Sequence, residues 1–231
     1  RRGHPFGSLQ RLRRILRLGV ADTVSGSRDT PDTRASLLNA AESLFASNGI
    51  DNTSVREVNQ LAAQRNTSAI RYHFGGMPGL LEALIEERMS ALDRARSVAL
   101  TRLENESDTQ RLGVHALAGV LLHPLIDRAE TNESWACWAR VLSQLISVRG
   151  QEHRVLWEGR FDQTTRRVFA VMRKQAPAMP AVLWQQRVSD FMLFTTGSIC
   201  ERVERRSQPD AKRGLSAARY RENLIQTATA I

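Results

Sequence analysis

The chain has little cysteine. Cys137 and Cys200 are the only two, and their wide separation excludes a disulfide framework. Each reads as a small, half-buried hydrophobe, and a reducing cytosol is the simplest compartment. Lysine is as scarce: Lys174 and Lys212 stand alone among 33 basic residues, so the rest are arginine. Genome base composition alone can produce that skew. The net charge of +9 is therefore weak evidence for a nucleic-acid partner. No apolar run approaches the roughly 18 residues of a membrane span, so no membrane partner is expected. The first residues lack an apolar segment followed by a small-residue cleavage site, so no secretory signal is expected either. Alternating runs of Val, Ile and Thr are missing, which argues against a sheet.

Catalytic motifs are also missing. The chain has no Walker A loop, no H-E-x-x-H, no G-x-S-x-G and no paired cysteine ligands. Gly75-Gly76-Met77-Pro78-Gly79 has the composition of a phosphate loop but neither the Lys-Ser/Thr nor a preceding strand. No enzyme, cofactor or metal is expected, which leaves a DNA-binding protein or a helical adaptor that binds only ligand.

The chain does carry helical periodicity along almost its whole length, in 231 residues that are 42% hydrophobic and 25% charged. That is enough for one large or two small domains. Residues 1–32 differ. Arg11, Arg13, Arg14 and Arg17 precede a Ser, Thr, Gly and Asp-rich stretch, which reads as a flexible basic extension. It is either an arm that adds phosphate contacts or an unstructured tail.

From Thr33, the residues Leu37, Leu38, Ala41, Leu44 and Phe45 give one helical face, and Asn48-Gly49 ends it. Ser54-Val55-Arg56-Glu57 has capping-box spacing. Val55, Val58, Leu61 and Ala62 are the expected buried face of a second helix. A turn at residues 63–66 leads to a third, with Thr67 as its expected N-cap and Ala69, Ile70 and Phe74 inward. Gly75-Gly76 breaks it. A fourth helix of about 25 residues, spanning ~38 Å, follows. Its expected stripe is Leu80, Leu81, Leu84, Ile85, Met89, Leu92, Ala95, Ala99 and Leu103. Further helices are expected over roughly 109–129, 132–148, 152–175, 181–206 and 214–230, with Pro124 kinking or ending the first of them.

A short third helix held by two others and exposed on one face suits a helix-turn-helix in a DNA major groove. Its outward residues are Arg65, Asn66, Thr67, Ser68, Arg71 and Tyr72. Asn and Arg read adenine and guanine edges, and Arg also meets phosphate. Thr53 and Ser54, at the start of the second helix, suit phosphate. His73 is either a backbone contact or a packing residue.

The same stretch resembles the TetR/AcrR family of bacterial transcriptional regulators. Ala40, Ala41, Phe45, Gly49, Thr53, Ser54, Val55, Ala62, Ala63, Tyr72, His73, Phe74, Leu80 and Leu81 carry the resemblance, over roughly residues 34–90. Gln64 and Arg65 stand where the family usually has Gly and a small apolar residue. Asn59 replaces a common Ala, Arg71 a frequent Tyr, and Met77 a frequent Lys.

The resemblance implies an all-α chain with a three-helix helix-turn-helix domain, residues 33–78. A long helix would join it to a ligand-binding and dimerisation domain, residues 79–231. It further implies a cytoplasmic repressor that binds a palindromic double-stranded DNA operator as a homodimer. A small apolar or amphipathic effector would release it. The expected liners of the effector site are His115, His123, Trp135, Trp138 and Trp157. The last two helices, with Val188, Phe191, Met192, Thr195 and Ile199 on one and Ala217, Tyr220 and Leu224 on the other, are the expected dimer interface.

Overall fold

In the computed structural model the described residues are 31–64, 66, 68–106, 112–147, 153, 156, 159–208 and 214–230. The basic extension therefore lies almost wholly outside them, as do Arg65, Thr67 and Trp157. Among the described residues the regular elements are α-helices: α1 Pro31–Asn48, α2 Val55–Leu61, α3 Ala69–Phe74, α4 Met77–Glu106, α5 Val114–Thr131, α6 Glu133–Ile146, α7 Gln163–Lys174, α8 Ala181–Arg206 and α9 Ala217–Ala230. The chain divides into two compact units, one ending at Leu84 and the other running from Ile85 to Ile231. The boundary falls inside α4, whose 30 residues span about 45 Å.

The first unit is built on α1. Leu37, Leu38, Ala41, Leu44 and Phe45 are buried along one face, as their spacing predicts, and with Val58 of α2, Ala69 and Ile70 of α3 and Leu80, Leu81 and Leu84 of α4 they make up most of the buried apolar residues described in the unit. Each large apolar side chain removed from water there contributes roughly 1.5–3 kcal/mol. Val55 departs from expectation and is 39% exposed. It is the first residue after the N-cap, so it sits at the open end of α2, and burial begins one turn later at Val58.

In the second unit α5 lies against α6 and α9, and α6 lies against α8. Leu117, Leu121, Leu125, Ile126, Trp138 and Val141 are buried among these helices. Ion pairs tie the layers. Glu130 of α5 meets Arg202 at 2.9 Å and Arg206 at 3.1 Å, both on α8. Arg140 of α6 meets Glu204 of α8 at 2.5 Å.

Three sequence expectations change here. The buried row of α4 runs Met89, Leu92, Arg96 and Leu100, whereas Ala95, Ala99 and Leu103 are only half-buried. An apolar count skips Arg96 and so misses the row. Pro124 does not end α5, which continues to Thr131. Of the helix expected over 152–175, the part described as α-helix is Gln163–Lys174, and residues 152, 154, 155, 157 and 158 lie outside the described residues. Gly159 sits at φ +78° and donates its N–H to the Asp162 carboxylate at 3.1 Å, a local turn that competes with helix.

Candidate nucleic-acid interface

The start of α2 is fixed by a reciprocal cap. The Ser54 hydroxyl oxygen accepts the Glu57 N–H at 3.3 Å, and the Glu57 carboxylate accepts the Ser54 N–H at 2.9 Å and its hydroxyl at 2.7 Å. The Ser54 hydroxyl first, and its backbone N–H second, hold the Glu57 carboxyl below its ordinary range. The spacing in the sequence was sufficient to foresee this cap. Thr53 is turned inward: it is buried, and its hydroxyl donates to the Gly49 carbonyl at 2.8 Å. Ser54 and Arg56 are exposed beside it. Arg56 was not singled out from sequence, where only its neighbour's capping role is visible.

The turn into α3 closes by a six-to-one and a five-to-two bond, Gln64 N–H to Asn59 carbonyl at 2.9 Å and Ala63 N–H to Gln60 carbonyl at 3.3 Å. This arrangement ends helices in a left-handed residue, usually Gly. Here that residue is Ala63, at φ +54°. Its methyl group tolerates the conformation at a cost of about 1–2 kcal/mol.

The N-cap of α3 is Ser68, not the expected Thr67, and Ser68 makes no side-chain cap bond. Asn66 does that work from two residues upstream, its amide oxygen accepting the Ser68 N–H at 2.9 Å. Asn66 and Ser68 are exposed at the head of α3, and Arg71 and Tyr72 are exposed along it, with Tyr72 71% open. Ala69 and Ile70 point the opposite way, into the core. His73 is half-buried between its neighbours' rings, 5.0 Å from Tyr72 and 6.2 Å from Phe74 by centroid. Arg34 of α1 lies over the Phe74 ring at 5.3 Å and braces the end of α3.

The exit is held by a close approach. Gly75, at φ +74°, donates to the Arg71 carbonyl at 3.0 Å. A Cβ on Gly79 would lie 1.9 Å from the Phe74 carbonyl oxygen. Only glycine lets α4 start against the end of α3. The short α3 is thus held at both ends while its outer face stays exposed.

The description "Bacterial regulatory proteins, tetR family" matches residues 37–84, which hold most of α1, all of α2 and α3 and the start of α4. The description "Tetracyclin repressor-like, C-terminal domain" matches residues 120–230. The chain belongs to the TetR family of transcriptional regulators. No curated protein matches it by sequence. Solved structures share its fold. A tetR family transcription regulator from Shewanella sp. PV-4 is 18% identical with a TM-score of 0.57, over 85% of this chain and 95% of that one. NalD of Pseudomonas aeruginosa, a secondary repressor of the MexAB-OprM multidrug efflux pump, is 19% identical with a TM-score of 0.56, over 87% and 97%. The fatty acid degradation regulator FadR of Bacillus halodurans is 14% identical with a TM-score of 0.55, over 87% and 96%.

In the second unit of this TetR-family regulator the expected effector residues are dispersed. His115 of α5 faces α9, 3.7 Å from Glu222. His123 lies further along α5, where burial of its ring pushes its pKa down and Asp127 opposes the shift. The Trp135 ring lies under the Arg88 and Arg128 guanidiniums, at 5.0 and 4.9 Å. Trp138 is fully buried, and its indole N–H has no acceptor among the described residues. None of these four lines the small cavity enclosed by Met89, Leu142 and Phe191. That cavity measures about 20 Å³, room for roughly one water. Its apolar wall includes Met89, Leu121, Leu142, Phe191 and Met192. A larger depression of about 430 Å³ lies along α4 from Ser97 to Glu106. One helix alone lines it, so it is open surface.

Proposed function

We propose that this regulator binds a palindromic double-stranded operator as a homodimer in the cytoplasm, and represses transcription there. A small apolar or amphipathic effector in the second unit would release it. The observation that carries this reading is the two-sided α3, with Ala69 and Ile70 sealed in the core while Asn66, Ser68, Arg71 and Tyr72 stand open. Such a helix presents donors and a guanidinium to a groove without loosening its own domain. Arg65, Thr67 and His73 belong to the same proposed surface, with Ser54 flanking it at α2, while the inward-turned Thr53 supports the loop from beneath.

Dimerisation matches the physics of reading two half-sites about 34 Å apart. The faces of α8 and α9 expected from sequence are partly occupied within the chain, with Phe191, Thr195, Ile199 and Leu224 buried. The outward side of α8 carries Val182 and Leu193, 78% and 42% exposed, and a Cβ on Gly197 would meet open space. This side is the proposed dimer face. Because α4 belongs to both units, a change in its course within the second unit is carried by one continuous helix into the first. Release requires that the effector bind one conformation more tightly than the other.

The test is binding to duplexes selected from genomic fragments, followed by fluorescence anisotropy across a salt series, with sedimentation in parallel. The expected result is a dimer whose log affinity falls linearly with log salt. A monomer, or a protein that ignores every duplex at low ionic strength, overturns the proposal.

A further inference from the structure

Among the described residues of the second unit, Arg96 is the one strongly basic group hidden from water. It sits about two-thirds of the way along α4, only 6% exposed, and lines the small cavity enclosed by Met89, Leu142 and Phe191. Its described partners are neutral. Its Nε donates to the Leu121 carbonyl at 3.0 Å and one terminal nitrogen donates to the Thr165 hydroxyl at 3.2 Å. Asp93, one turn earlier, accepts the Thr164 backbone N–H at 2.9 Å and acts on Arg96 only through space. Burial pushes the guanidinium down to about 10, so it keeps its charge across the physiological range. A guanidinium carries five N–H donors in a fork that matches a carboxylate. A buried cation whose partners are neutral is costly, and an anion that pairs with it recovers that cost.

The rest of the wall completes the selection. Thr195 and Thr196 also line the cavity, and their hydroxyls already donate to the Phe191 and Met192 carbonyls, at 2.7 and 2.6 Å. That leaves Arg96 as the cationic donor of the wall. The apolar remainder includes Met89 and Met192, whose flexible thioethers repack readily. With room for only about one water, the site must widen to admit a ligand, and α4 is one of its walls.

We propose that this cavity is the head-group site for an effector with one anionic group and an apolar body, the anion pairing with Arg96. The proposal rests on the effector reading above and assigns its chemical class.

Calorimetry on the full chain without DNA tests it, with decanoate, decanol and decyltrimethylammonium as probes. Decanoate should bind about tenfold to hundredfold tighter than decanol, as a charge-assisted hydrogen bond predicts, and the cation should bind least. Arg96→Gln should remove the preference for decanoate over decanol, and Arg96→Lys should keep part of it. Circular dichroism checks that the variants fold; if Arg96→Gln does not, the ranking of the three probes on the native protein still decides. Equal affinity for decanoate and decanol, preference for the cation, or no binding of decanoate overturns the proposal. If decanoate binds through Arg96 yet leaves DNA affinity unchanged, the anion site stands and effector-driven release fails. If decanoate does not bind but DNA does, the anion site fails and the operator reading stands.

Discussion

Asp93 and Thr164 lie 71 residues apart, yet the Asp93 carboxylate accepts the Thr164 N–H at 2.9 Å and its backbone carbonyl accepts the Thr164 hydroxyl at 3.3 Å. Thr164 is in the first turn of α7, where the local N-cap, Asp162, makes no side-chain cap bond. The cap of α7 is therefore supplied by α4. This bond sets the register of the two helices and brings Thr165 to Arg96. Asp93→Ala should cost about 0.5–2 kcal/mol, as loss of a cap does, and Asp93→Asn less. Urea unfolding of the two variants checks it. An Ala variant as stable as the native chain refutes the capping role.

Gly79→Ala should disable the reading head. The added methyl would sit 1.9 Å from the Phe74 carbonyl oxygen, backbone that cannot swing aside. We expect a loss of about 3 kcal/mol or more in the first unit. DNA binding should vanish while most far-ultraviolet helix signal remains. Unaltered operator affinity would contradict the close approach.

Ala63→Gly should stabilise the protein. Relief of the left-handed φ of +54° is worth about 1–2 kcal/mol, and glycine's extra chain entropy takes back roughly 0.5–1. A net gain of about 0.5–1 kcal/mol should appear as a raised melting temperature. A lowered one would mean that the turn carries no strain.

Glu57 gives a pH signature. Its folded pKa is depressed, chiefly by the Ser54 hydroxyl. Its contribution is therefore complete above the ordinary carboxyl range and is lost as pH falls through the folded value. Glu57→Gln should be less stable than the native chain at pH 7, and the difference should close in acid. A gap that persists at low pH would place the effect elsewhere.

Arg71→Ala should weaken binding to all duplexes alike and reduce the salt slope by about one, as the loss of one phosphate contact does. Anisotropy titrations at several salt concentrations measure it. A change confined to one base position would instead make Arg71 a base reader.

Much of the first unit was legible because its signals are local. The Ser54–Glu57 cap, the inward Ala69 and Ile70 and the open Tyr72 all follow from spacing within a turn or two. Thr53 and Asn66 were legible only as polar residues in the right region. Their side chains bond to Gly49 and Ser68, and those bonds depend on how the loops fold back. The proposed dimer face on α8 could not be read from apolar periodicity, because residues of that period satisfy the helix's own neighbours.

By itself the sequence determined an all-helical chain, a helix-turn-helix with a stated outer face, and its family, since periodicity, caps and breakers act over a few residues. Tertiary structure alone decided that Gly79 must be glycine, that α7 is capped from α4, and that Arg96 is enclosed with neutral partners. Each of those depends on backbone or charge brought near by packing, and distance in space is not written in the order of residues.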